Sequence, residues 1–273
     1  SKPFSLISVL LLIIGSLTWS LTMVRSGIQY SFGYGFWGAN GHDGIWHLAL
    51  SESLAKGSLE NPVFAGEALK NYHLGFDLLV ALVNVVTNIP ISYIYFQILP
   101  PLFAILIGLL TYIFVLNWRG SRTEAKWATF FVYFSSSFGF IVTFLRDRQI
   151  TGESMFWSQQ AISTLVNPPF ALSLILILLG LISLQKKNLI LSILFFGLLI
   201  QIKVYAGLLV LGGLFCASLF ELISKRYSLV PKVFLGALIF SLAIFLPFNK
   251  NPQSMIVWQP MWFLETMMSY SDR

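Results

Sequence analysis

The sequence has few charged residues. Only 10% of its 273 residues are Asp, Glu, Lys or Arg, whereas 56% are hydrophobic. Soluble globular domains carry about a quarter charged residues, so this charge content and the mean hydropathy of +0.78 exclude that class. The single cysteine, Cys216, excludes an intrachain disulfide. The composition predicts an all-α, polytopic transmembrane helix bundle.

Several catalytic motifs are also missing. The sequence contains no glycine-rich phosphate loop, no G-x-S-x-G nucleophile motif, no CxxC pair and no H-E-x-x-H zinc motif. It therefore gives no indication of soluble-nucleotide chemistry or of a strong metal site. The polar residues that are present must carry any function.

Long apolar runs make up most of the chain. A transmembrane helix needs about 20 mostly apolar residues. Seven stretches meet or approach this requirement: 4–24, 92–116, 127–145, 165–184, 189–202, 204–223 and 230–248. The stretches 189–202 and 204–223 belong to one apolar run, 189–223. This run is too long for one span and carries Gln201 and Lys203 near its middle. We predict two helices that meet at Lys203.

The basic residues of the short loops indicate the orientation. Placing the loops near 119–126, 186–187 and 225–232 inside with Lys2 gives nine basic and two acidic residues on that side, and eight basic and nine acidic residues outside. The net charge of +6 then reflects topology and predicts no nucleic-acid partner. We expect a multi-pass plasma (inner) membrane protein of the cell envelope whose loop 25–71 faces outside. Residues 72–88 are predicted to be interfacial or re-entrant, with a short span as the alternative.

All three histidines fall on the predicted outer side, close to an acidic residue. His42 and His47 flank Asp43, which opens a predicted surface helix over 44–56, and His73 follows. A carboxylate beside imidazoles can act as a general base or bind a divalent cation. The alternative is that Asp43 is only a helix N-cap and His47 a solvated neighbour.

Three basic residues on the same side are candidates for binding an anion. Lys70 precedes an apolar segment, Arg146 ends a predicted span, and Lys203 lies within an apolar run. Each can bind a phosphate group. The alternative is that they extend to the lipid headgroups as interfacial anchors.

The order of these features resembles one family. The segment "HDGIWHLALSESLAKG" after the first predicted span, then "NPVFAG" and "LKNYHLGFDLL", is similar to the catalytic front half of GT-C membrane glycosyltransferases, such as protein O-mannosyltransferases and aminoarabinose transferases. The resemblance places Asp43 at the position of the catalytic aspartate and Lys70 at that of a basic residue near the lipid phosphate. Gly44 stands where the family has a second acid. The chain is predicted to be a fragment of such a protein.

The resemblance implies hexosyl or pentosyl transfer from a polyprenyl-phosphate-linked donor to an acceptor at the outer face. In that scheme Asp43 and His47 are catalytic, and a divalent metal, Mg²⁺ or Mn²⁺, binds at Asp43. The substrate is bound by His42, Lys70, His73, Arg146 and Lys203. The expected partners are the sugar donor and membrane lipids. The alternatives are a transporter or lipid flippase for an anionic substrate, using Lys203 and Asp77, and a noncatalytic truncated form.

Overall fold

The computed structural model describes residues 4–64, 66–136, 139–149, 159–225, 228–249, 259–262 and 265–266. Within these ranges the chain is mostly helical. The helices are α1 (Leu6–Ser20), α2 (Asp43–Ala55), α3 (Gly75–Thr87), α4 (Ile91–Arg119), α5 (Arg122–Phe134), α6 (Gly139–Asp147), α7 (Gln160–Leu165), α8 (Pro168–Gln185), α9 (Leu189–Ile202), α10 (Val204–Ile223) and α11 (Val230–Phe245). Two short antiparallel strands, β1 (Ile28–Tyr30) and β2 (Gly33–Gly35), form a hairpin between α1 and α2.

Three of the helices are long and apolar enough to cross a membrane: α4, α8 and α10. Helices α1, α9 and α11 are apolar but have 15, 14 and 16 residues. The predicted helical fold is therefore confirmed. The described part of the chain also contains apolar helices whose length and composition would allow them to cross a membrane.

The helices pack around α4 and α8. Helix α4 contacts α1, α5 and α8, while α8 also contacts α9, which in turn packs against α10 and α11. Small residues allow the closest approach: a Cβ atom added at Gly15 or Gly108 would lie 2.3 or 2.0 Å from the side chain of Tyr133. The Tyr133 hydroxyl donates to the Ala104 carbonyl at 2.7 Å, which ties α5 to α4. Close helix contacts at small residues are typical of membrane bundles.

One end of the bundle collects most of the irregular segments among the described residues. Helix α4 begins there, α8 begins there at Asn167, and α9 meets α10 there at Lys203. We call it the site end. The loop before α3 is fixed to it, because the Asn71 amide donates to the Phe248 carbonyl at 3.2 Å. At the opposite end, the Gln185 side chain of α8 donates to the Phe114 carbonyl of α4.

Helix α3 lies across the site end. At its start the Leu74 amide donates to the Gln201 side chain of α9 at 3.2 Å. After its last turn the chain reverses through Asn88, which has a left-handed φ of 58°, and the first residues of α4 pack against α2. Both ends of α3 therefore lie at the site end. The location of α3 at a membrane interface stays a prediction.

Two apolar stretches are divided in the structure. The run 189–223 breaks at Lys203, whose backbone is extended (φ −154°, ψ 108°), where the sequence predicts the break. Residues 127–145, predicted as one span, instead contain the end of α5 and most of α6. Helix α5 stops because Ser135 is extended (ψ 151°) and Ser136 forms a β-bridge with Gln159. Residues 137–138 of this stretch lie outside the described ranges.

Candidate functional site

Asp43 lies at the exposed start of α2. It is the first helical residue, and the N-cap position is His42, whose side chain makes no capping hydrogen bond. The Nδ1 atom of His42 is 2.7 Å from the Oδ1 atom of Asp43, and the two side chains are 91% and 49% exposed. A carboxylate in the first turn is favoured by the helix dipole. Asp43 therefore carries an accessible carboxylate with an imidazole beside it.

Gly44 allows α2 to approach α4. It is buried, and a Cβ atom there would lie 2.8 Å from the ring of Phe96, which is itself fully buried. A second acidic side chain after Asp43 would have to displace that ring. The local packing thus gives a physical reason for glycine at the position where the family resemblance would place another acid.

The polar stripe of α2 faces the bundle. His47, which the alternative interpretation of the sequence makes a solvated neighbour of Asp43, is 4% exposed, and Ser51 is 0% exposed. The Nδ1 atom of His47 lies 2.8 Å from the Oδ1 atom of Asp77 on α3, and the Ser51 hydroxyl donates to the same oxygen at 3.4 Å. The His47 ring also stacks on Tyr95 at 5.7 Å. His47 therefore contacts Asp77, and Asp43 contacts His42.

The buried pair fixes α2 on α3. The side chains of His47 and Asp77 are 5% and 0% exposed, so each polar group would pay a large desolvation penalty without the other. The second carboxylate oxygen of Asp77 has no hydrogen-bond partner among the described residues, which makes the bond to His47 the main compensation. The orientation of α2, and with it the position of Asp43, depends on this pair.

Tyr72 and His73 cover the next part of the site. The indole of Trp46 donates to the Tyr72 hydroxyl at 2.9 Å, and the Tyr72 ring stacks on His73 at 4.6 Å. Burial, and secondarily the Asp77 carboxylate, raise the pKa of Tyr72. Burial, followed by the charge of Lys203, lowers the pKa of His73 to about 4. Both groups are therefore neutral at pH 7.

This pKa predicts how stability depends on pH. The His73 pKa is about 4 in the folded protein and 6.5 as its ordinary value, so the unfolded chain binds more protons between these values. The free energy of unfolding should fall by up to about 3 kcal/mol as the pH drops from about 6.5 to 4. Replacing His73 with phenylalanine should remove this part of the pH dependence, measured by chemical unfolding in detergent across the interval. An unchanged slope in the variant would contradict the assignment.

Lys203 is half-buried between α9 and α10. Its Nζ atom donates to the Oδ1 atom of Asn167 at 3.1 Å and lies 5.6 Å from the centre of the Tyr205 ring. Burial lowers the pKa of Lys203, and the carboxylates of Asp43 and Asp77 oppose that shift. Both carboxylates therefore act on the charge of the Lys203 ammonium.

Two helix N-termini meet at this lysine. Asn167 is the N-cap of α8, where its Oδ1 atom also accepts from the Phe170 amide at 3.3 Å. Lys203 is the N-cap of α10, which has no side-chain capping hydrogen bond. Helix N-termini carry partial positive charge and favour anions. The ammonium and two helix ends together make this the part of the site best suited to a negatively charged group.

The remaining predicted residues are Lys70 and Arg146. Lys70 is exposed. Arg146 is exposed on α6 and forms a two-point ion pair with Asp147, both distances being 2.9 Å. Within the described ranges, no hydrogen bond or ion pair links either residue with Asp43 or Lys203. The same ranges contain no group of three or more His, Cys, Asp or Glu side chains that could hold a metal ion.

The structure adds two residues that the sequence did not assign to sugar transfer. Asp77 can be recognised in the sequence, because it is a carboxylate within the apolar segment "GFDLLVALV". Asn167 was recognisable only as a helix start before two prolines, because its contact with Lys203 spans 36 positions of the chain. In comparisons with known proteins, no family model, no curated protein and no solved structure matches this chain.

Proposed function

We propose that this chain transfers a sugar from a polyprenyl-phosphate-linked donor to an acceptor hydroxyl at the site end. One observation carries the proposal: Asp43 presents an exposed carboxylate at the start of α2, and this carboxylate raises the pKa of the half-buried Lys203 ammonium against the effect of burial. Transfer from a lipid phosphate needs a base for the acceptor and a cation for the leaving phosphate. Asp43 and Lys203 are the candidates for these two roles.

The proposed reaction is a single displacement. The acceptor oxygen attacks the anomeric carbon of the sugar, and the bond from that carbon to the phosphate oxygen breaks. Asp43 takes the proton from the acceptor hydroxyl as a general base. The electron pair leaves with the polyprenyl phosphate, whose developing negative charge Lys203 and the N-termini of α8 and α10 stabilise. Attack opposite the leaving group inverts the anomeric centre.

The histidines have different proposed roles. His42 hydrogen-bonds with the Asp43 carboxylate and orients it toward the acceptor. His47 acts as a positioning residue, because its contact with Asp77 holds α2 in place. His73, neutral and beside Lys203, contacts the sugar or its phosphate. Lys70 and Arg146 would bind the donor only if the substrate extends beyond the cluster.

A metal ion at Asp43 receives no support from the protein's own donor atoms. Of the described residues, only His42 accompanies the Asp43 carboxylate, which does not fit a site built from protein ligands for Mg²⁺ or Mn²⁺. The proposed reaction therefore uses no metal at Asp43. We further propose that the site end faces the outer side of the plasma membrane, where membrane lipids surround α4, α8 and α10 and the donor's lipid tail enters beside them.

Replacing Lys203 with methionine should weaken donor binding. Charged hydrogen bonds contribute about 1.5–3 kcal/mol, so the KM for the donor should rise about 10- to 150-fold. Methionine retains the apolar stem, so the fold should persist. Lys56→Met is the matched control. The Lys56 side chain is exposed, and its ion-pair partner is Glu52, 3.9 Å away, which has no role in the proposed reaction. Equal KM values for the wild type and the Lys203 variant, measured by steady-state transfer assays, would remove Lys203 from the donor site.

The transporter alternative also draws on Lys203, since the chain breaks there between two apolar helices. Transporters place such breaks near the bilayer midplane, whereas this break lies at the site end of the bundle. Flux of a labelled anionic solute or lipid into vesicles containing the protein, abolished by Lys203→Met, would favour transport. Sugar transfer without such flux would favour the enzyme.

A further inference from the structure

A cavity lies at the end of the bundle opposite the site end. It has a volume of about 680 Å³. It opens between the last turn of α8, the α8–α9 turn, the last turn of α10 and the start of α11. Its lining residues are Leu184, Lys187, Glu221, Ser228, Leu229, Val230 and Lys232. None of the residues discussed for sugar transfer lines it.

The charge of this cavity is positive. Neither Lys187 nor Lys232 has an ion-pair partner within the described ranges. The one acid in the lining, Glu221, accepts a hydrogen bond from the Ser228 hydroxyl, and that hydroxyl also accepts from the Val230 amide at the start of α11. The Glu221 carboxylate is thus paired with Ser228, and two ammonium groups remain available to one cavity.

The surroundings of the cavity are apolar. Leu184, Leu229 and Val230 form its non-polar wall. The adjoining last turn of α10 presents Leu222 and Ile223, which are 63% and 81% exposed. A ligand that combines an anionic head with hydrocarbon chains matches both parts. Basic pockets between transmembrane helices bind phospholipid headgroups in this way.

We propose that this cavity binds the phosphate of an anionic phospholipid, with Lys187 and Lys232 contacting the phosphate and the acyl chains running along α10. The site is separate from the proposed sugar transfer and does not depend on it. Occupation of the cavity would join the α8–α9 turn to the first turn of α11.

The test is direct binding of fluorescent phosphatidylglycerol to the full chain in detergent, with unlabelled phosphatidylglycerol, phosphatidylcholine and inorganic phosphate as competitors. One lysine near an anionic lipid surface contributes about fivefold and two about 30-fold. Lys187→Gln should therefore weaken binding about fivefold, and Lys187→Gln/Lys232→Gln about 30-fold. The matched controls are Lys186→Gln and Lys225→Gln, which remove the same charge at the same end outside the cavity.

Wild-type affinity in both controls and weaker binding in the two cavity variants would support the site. Equal losses in controls and cavity variants would show a diffuse charge effect and overturn it. Displacement by phosphatidylcholine as effective as by phosphatidylglycerol would overturn the anionic selectivity. If inorganic phosphate displaced the fluorescent lipid at the same concentration as unlabelled lipid does, the ligand would be a soluble anion and the lipid site would be overturned. Lys186 and Lys187 are neighbours in one exposed turn. Lys186→Gln and Lys187→Gln can therefore be compared directly even if the double variant fails to fold.

Discussion

Asp43→Asn should lower the turnover of sugar transfer by about 100- to 10,000-fold, the range that a general base contributes. The amide is nearly the same size as the carboxylate but cannot accept the acceptor's proton. Asp43 is half exposed, so the substitution should leave the fold and the KM for the donor unchanged. The measurement is kcat in reconstituted vesicles at saturating donor.

The control for this prediction lies on the same helix. Glu52 is an exposed acid of α2 whose nearest charged group is Lys56, 3.9 Å away. Glu52→Gln removes the same charge without touching the cluster and should keep wild-type turnover. If Asp43→Asn also keeps it, Asp43 is not the base. If both variants lose activity equally, net charge on α2 is the cause.

Asp77→Ala should be the most destabilising single substitution in the site. It leaves His47 buried without its partner, and breaking a buried pair costs about 3–5 kcal/mol. Because the same pair fixes α2 on α3, any protein that still folds should also show a lower kcat. The free energy of unfolding in detergent, compared with that of the wild type, measures the first effect.

The molecule provides a matched pair for comparison. His42 and Asp43 lie 2.7 Å apart and His47 and Asp77 lie 2.8 Å apart, but only the second pair is buried. Exposed ion pairs contribute little to stability, so His42→Ala should leave the free energy of unfolding nearly unchanged. Comparable losses in Asp77→Ala and His42→Ala would contradict the structural role given to the buried pair.

The sequence predicts the helices well where polar residues interrupt apolar runs. Gln201 and Lys203 locate the break between α9 and α10, and Asn167 before two prolines locates the start of α8. The break after Phe134 was missed, because the serines there are flanked on both sides by apolar residues. The β-bridge that helps to end the helix pairs Ser136 with Gln159, a contact that local hydropathy does not encode.

The site was harder to predict, since its contacts are distant in the chain. The sequence associates His47 with Asp43, whereas the residue that His47 contacts, Asp77, lies 30 residues further on. The link between Lys203 and Asn167 likewise depends on how α8 and α9 pack. What local sequence did indicate was the accessible acid: Asp43 opens α2 with a neighbouring imidazole.

The most direct test of the proposed function is sugar transfer by the unmodified chain. Purified protein in phospholipid vesicles would be mixed with labelled polyprenyl-phosphate hexose and pentose donors and a membrane extract as the source of acceptors. We predict that polyprenyl phosphate is released and the label moves to an acceptor with inverted anomeric configuration. Absence of protein-dependent release from every donor, with the chain folded and correctly inserted, would contradict the proposal.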